Sequence, residues 1–187
     1  MTTNETNKTA DTILVASLAR AIDFVKFAEA KNAALLAFAS AWSLGVTTVI
    51  NSPNPPKDMI AAMGVARGLF LLSILITVWS FIPKVRPEDF DRRVLPKNLL
   101  FFGHVAKIEI KDLKAAVLSR YVKDGVLTDD YLDDLSAQVG INSRIASKKY
   151  WLFGIASALV LLGLLSLAVP AVWSGVSGLM TTPLTPK

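Results

Sequence analysis

Most residues here with chemistry to offer lie in three short polar clusters within a largely apolar chain. The first holds Glu29 and Lys31. The second is the run Asn98-Leu-Leu-Phe-Phe-Gly-His-Val-Ala106, with Asn98 and His104. The third is Asn142, Arg144, Lys148, Lys149 and Tyr150. Asparagine and histidine offer paired donors and acceptors, lysine and arginine bind phosphate, and aromatic rings stack on bases. Lys31, Asn98, His104, Asn142, Arg144 and Lys149 are therefore candidates for holding a nucleotide. Interfacial Lys and Tyr also mark the boundary of any membrane protein, so residue type alone leaves both readings open. Arg67 stands inside an apolar run, where an ionisable side chain is a functional candidate: it lines a pore, holds a partner, or snorkels to the head groups. Asp129, Asp130, Asp133 and Asp134 invite a metal. They read better as the solvated first turns of a helix capped by Thr128, where carboxylates favour the helix dipole.

Catalytic patterns are missing. The sequence has no Gly-rich phosphate loop, no GxSxG and no HExxH. It has no cysteine, hence no disulfide, thiol nucleophile or thiolate metal site, and one histidine. The expectation is a protein that is not an enzyme and uses no metal or other cofactor.

The elements that must position these residues are set by hydropathy. The chain has 187 residues, of which 52% are hydrophobic. A hydrocarbon core of ~30 Å takes about 20 apolar residues in a helix. Three runs meet that length, 32–50, 60–82 and 151–173. The fold class expected is an all-α membrane protein: three transmembrane helices with a small helical cytoplasmic domain between the second and third. The divisions are an N-terminal cytoplasmic segment 1–31, span 32–50, a periplasmic loop 51–59, span 60–82, the cytoplasmic helical domain 83–150, span 151–173 and a periplasmic tail 174–187. The loop, with prolines 53, 55 and 56, makes the first two spans an antiparallel hairpin. Pro83 and Pro87 close the second.

Lys and Arg crowd residues 84–149, while the tail carries only Lys187. The positive-inside rule places the central domain and the N-terminus in the cytoplasm. The net charge of +5 then reflects anionic lipid rather than nucleic acid. Residues 1–11 read as frayed. Thr12 opens an amphipathic helix with Leu14, Leu18, Ile22 and Val25 on one stripe, lying on the cytoplasmic face and running into span one, with a bundle-packing helix as the alternative. Asp112–Val122 reads as helix. Val105–Ile110 alternates like a strand but lacks a partner, so loop is preferred. A helix from Thr128 runs toward span three unless Gly140 interrupts it.

Small residues recur four apart at Ala33, Ala37, Ala41 and Gly45, and again at Gly64/Gly68 and Gly154/Ala158. Such faces let helices approach closely in lipid. Ala37, Ala41 and Gly45 are the candidate oligomer seam, with packing inside one chain as the alternative.

Taken together, Asn98–Ala106, Glu29-Ala-Lys31-Asn-Ala-Ala-Leu-Leu and Ile141-Asn-Ser-Arg-Ile-Ala-Ser-Lys-Lys-Tyr150 resemble the transmembrane Pycsar effector family over residues 20–170. The family commonly has Asp where this chain has Glu29. The resemblance implies a bacterial inner-membrane effector of antiphage defence. A pyrimidine nucleotide cyclase would be its functional partner, and cyclic CMP or cyclic UMP its ligand. Oligomeric pore formation or bilayer disruption would then cause abortive infection. The alternatives are a membrane scaffold or accessory subunit, and a holin-like pore former that needs no ligand.

Overall fold

The computed structural model describes residues 3–82, 98–123 and 125–181. Pro83, Pro87 and the cations Lys84, Arg86, Arg92, Arg93 and Lys97 lie outside the described residues, as does the tail from 182 onward. The elements are α1 (Thr3–Ile50), a 3-10 turn (Lys57–Met59), α2 (Ile60–Phe81), α3 (Phe102–Val105), α4 (Ile110–Tyr121), β1 (Val122–Lys123), β2 (Val126–Leu127) and α5 (Asp129–Thr181). The protein is mostly helical, and three helices are long and apolar enough to cross a membrane.

The chain divides into two compact units. One comprises 1–28 and 83–149, the other 29–82 and 150–187. The long helices α1 and α5 contribute to both.

In the first unit, the N-terminal part of α1 runs parallel to the start of α5. Asn7 Nδ2 donates to Asp129 Oδ1 at 3.3 Å, and Tyr131 hydrogen-bonds Asp11 one turn further on. The helix begins at Thr3, so residues 3–11 are not frayed, and Thr12 lies inside it, donating to the Lys8 carbonyl at 3.0 Å. Leu14, Leu18 and Val25 are half-buried, but the fully covered positions are Ala21 and Ala28, and Ile22 faces out. Small residues let α1 lie close to its neighbours, which places the contact stripe on alanine. Gly140 does not interrupt α5.

α4 has Asp112 in its first turn and Arg120 in its last, both favourable to the dipole. It ends in a two-residue hairpin with Val122 opposite Leu127 and Lys123 opposite Val126. Gly125 has φ 75°, a backbone region that costs glycine nothing. Thr128 precedes α5 as expected, yet its hydroxyl donates to the Arg120 carbonyl at 2.9 Å. It ties the hairpin back to α4. Residues 105–110 form no strand; Val105 ends α3, Ile110 begins α4, and 106–109 join them.

In the second unit, three helical stretches pack around Ala39, Val46, Met63, Ala66, Phe70 and Val160. Gly163 lets α5 approach α2: a Cβ there would stand 2.7 Å from the Phe70 ring. Large apolar side chains cover the outside, among them Leu44, Leu75, Trp79, Leu161, Val169 and Trp173. An exterior this apolar is what a lipid solvent requires, while the interior also buries Asn32, Ser43, Ser73, Thr77 and Ser80. Pro170 lies within α5 near its end.

Candidate functional site

The Asn98–Ala106 motif is a compact knot. Asn98 is fully buried. Its Nδ2 donates to the main-chain oxygen of Asp134 at 3.0 Å. Its Oδ1 accepts from Leu100 N at 2.8 Å, an Asx turn that reverses the chain. His104 Nδ1 lies 3.1 Å from the Asn98 carbonyl. A carbonyl only accepts, so Nδ1 carries the proton and Nε2 is the nitrogen left to meet a ligand. Phe101 packs on Phe102 at 4.9 Å and edge-on to His104 at 5.4 Å between centroids. Glycine at 103 permits this, since a Cβ would stand 2.6 Å from the Phe101 ring. Phe102 is left 66% exposed, which offers a ring face for stacking.

Beneath the knot lies a polar cluster that no sequence motif announced. Asp134 Oδ2 accepts from Arg120 Nε at 2.9 Å, Arg120 NH2 at 2.9 Å and Tyr121 Oη at 2.7 Å. Tyr121 Oη in turn accepts from Leu99 N at 2.8 Å. The Asp134 side chain is 2% exposed and that of Arg120 20%. Burial pushes the Tyr121 pKa up, and the Asp134 hydrogen bond and charge push it further, to about 12. Burial works against the Arg120 charge, but the hydrogen bond and attraction from Asp134 outweigh it and raise its pKa. The acidic run therefore splits. Asp129, Asp130 and Asp133 are solvated as expected; Asp134 is not. Its phase, with Leu135, Gln138 and Ile141 on the buried side of α5, is the signal that could have found it. Among the described residues no acidic or histidine side chains cluster to hold a metal.

Further along α5, Asn142 is half-buried and donates to the Gln138 carbonyl at 2.9 Å. Gln138 is 7% exposed and its Nε2 has no hydrogen-bond partner among the described residues. At ~100° per residue, Asn142 and Lys149 share a side of the helix, while Arg144 and Lys148 point away from it. Arg144 is exposed. The first unit thus brings His104 against Asn98 and sets Asn142 and Lys149 in line. It does not put Arg144 on the same side of α5 as Asn142.

Lys31 belongs to the second unit. Its Nζ lies 5.7 Å from the Tyr150 ring centroid and 5.6 Å from that of Phe153, within cation–π range. Next to it, Asn32 is buried and donates from Nδ2 to Ser80 Oγ at 3.2 Å. Arg67 is half-buried and makes no ion pair or hydrogen bond among the described residues. Ala33, Ala37, Ala41 and Gly45 are exposed, because packing within the unit uses Ala39, Ser43 and Val46 on the other side of α1. Ala41 and Gly45 border an apolar groove of about 460 Å³ with Trp42, Val49, Met59 and Leu167. Gly64, Gly68, Gly154 and Ala158 are also exposed.

A family model described as the Pycsar effector protein domain matches residues 13–176. The Pycsar effector protein RsPycTM of a Rhizobium species is 34% identical over 156 residues, 82% of this chain and 89% of the relative. PtPycTM of Propioniciclava tarda is 29% identical over 167 residues, 87% of this chain and 77% of the relative. No solved structure matches the chain significantly.

Proposed function

Because this chain belongs to the Pycsar effector family, we propose that it is a cyclic-nucleotide-gated membrane effector of antiphage defence. The ligand is a cyclic pyrimidine nucleotide, cCMP or cUMP, supplied by a pyrimidine nucleotide cyclase. Phe102 stacks on the base, His104 Nε2 meets its edge, and Asn142 and Lys149 supply polar and cationic contacts. Asn98 holds the loop that presents Phe102 and His104. Arg144, on another side of α5, serves a neighbouring copy. N-terminus and central segment face the cytoplasm. Ligand favours an assembly of several chains along Ala37, Ala41 and Gly45 that breaches the inner membrane and ends the infected cell. A ligand shifts such an equilibrium only by its differential affinity for the two states.

What supports this reading most is the small-residue face of α1. It is exposed and is left unused by the packing of its own unit. The test is dye leakage from liposomes holding the purified protein, with cCMP, cUMP, cAMP and cGMP added separately. Leakage with one cyclic pyrimidine alone is the expected result. Folded, oriented protein that stays tight to all four refutes nucleotide gating and returns the chain to a scaffold role.

A further inference from the structure

The three-helix unit is not uniform along its length. At one end Asn32 pairs with Ser80. Ser80, Thr77 and Ser73 then follow along the buried side of α2. Ser73 Oγ donates to the Ala156 carbonyl at 2.9 Å, and Thr77 Oγ1 to the Ser73 carbonyl at 2.8 Å. Two buried atoms in this stretch have no hydrogen-bond partner among the described residues, Asn32 Oδ1 and Ser157 Oγ. Asn32 is 1% exposed. Beyond Ser73 the interior changes character. Phe70, fully buried, is wedged against Gly163 and lies 6.2 Å from Trp42 between ring centroids. After it come Ala66, Met63 and Val46, while Val160 lies just before the ring, between Ala156 and Gly163 on α5. Ten residues separate Ser80 from Phe70, about 15 Å of helix, which is half of a ~30 Å hydrocarbon core.

In lipid an orphaned buried acceptor finds no solvent at the helix surface, and the group that satisfies it is a water held inside the bundle. Polar residues inside a span mark such paths, and apolar constrictions close them by excluding water. We infer that this unit holds a water-binding polar seam from Asn32–Ser80 to Ser157, closed at mid-depth by Phe70. Displacing that ring lets a file of water carry protons through a single chain. The path is distinct from any lumen between copies and needs no nucleotide once the ring is gone. It rests on the effector reading only in that the unit lies in a bilayer.

The experiment is proton flux into phosphatidylethanolamine/phosphatidylglycerol vesicles that contain the full chain and a trapped pH-sensitive dye, without nucleotide. Phe70→Ala is expected to raise the leak about tenfold, equivalent to ~1.4 kcal/mol off the barrier. Adding Ser157→Ala and Ser73→Ala to that variant lowers it again. Gly163→Ala is the second variant, adding only a methyl that pushes the ring aside, and it gives a smaller rise. A folded Phe70→Ala protein as tight as the parent overturns the inference. So does a leak indifferent to loss of the two hydroxyls. If Phe70→Ala does not fold, a tight Gly163→Ala protein overturns it. Nucleotide-dependent leakage of the unmodified chain is a separate readout, so the gate and the effector reading fail independently.

Discussion

Replacing Asp134 tests whether the Asn98–Ala106 knot is held from below. Its Oδ2 receives two guanidinium N–H groups and one phenol O–H, all at 2.9 Å or less. Asp134→Ala leaves the largely covered Arg120 charge with only the long, exposed contact to Asp130 at 3.8 Å, and the Tyr121 hydroxyl without its acceptor. Breaking a buried pair from one side costs about 3–5 kcal/mol. The partial exposure of Arg120 favours the lower end, so ~3 kcal/mol is expected, roughly a hundredfold in local opening. The four tryptophans, at 42, 79, 151 and 173, all belong to the second unit, so their fluorescence is blind to this site. Hydrogen exchange at Leu99 and along α4 in mild detergent reads it directly. Asp134→Leu with Arg120→Met recovers most of the protection, because the cost lies in the covered, poorly compensated charge rather than in the lost pair. Unchanged exchange in Asp134→Ala refutes the reasoning. A double variant as loose as the single one refutes its electrostatic part.

Tyr121 gives an alkaline prediction. Its pKa is raised from 10.0 to about 12, so the folded state holds the proton more tightly than the unfolded one. That stability is complete below pH 10 and is lost as pH rises toward 12. Exchange in α4 accelerates over that window, and Tyr121→Phe, slower to respond, lacks the step. At the candidate seam, Ala37→Leu with Ala41→Leu is expected to abolish toxicity on expression while membrane insertion, read by fractionation and protease protection, stays normal. Full toxicity from the well-inserted double variant removes that seam.

The helical, membrane-crossing character was legible because lipid demands long apolar runs, and 32–50, 60–82 and 151–173 supply them. The continuity of α1 and α5 was legible as well: the helical pattern from Thr12 leads into span one, and the one from Thr128 leads into span three once Gly140 is tolerated. Around Asp23, Lys26 and Glu29 the pattern changes from one apolar stripe to apolar all round, which is a change of solvent and not an end of helix. The hairpin at Gly125 was not read from the sequence, although Asp124-Gly125 is an ordinary turn pair, because strands of two residues show no alternation. For the site, the motif containing Asn98 and His104 stood out, but the burial of Asn98 depends on Asp134, 36 residues away, which local pattern does not reveal. The separation of Arg144 from Asn142 was available from the helical period alone. Grouping residues by membrane level, without their rotation about the axis, concealed it.

The exposed alanines and glycines of α1, α2 and α5 set the thermodynamics of any meeting between copies. Lipid chains already solvate them, so association gains no release of ordered water and depends on close fit, with modest energy per contact. Such an equilibrium is governed by the number of molecules per unit area of membrane. A sparse population stays dispersed, and a small bias in favour of the fitted form moves a dense one far along the assembly curve. Toxicity that rises steeply, rather than in proportion, with surface density is the expected signature of this physics.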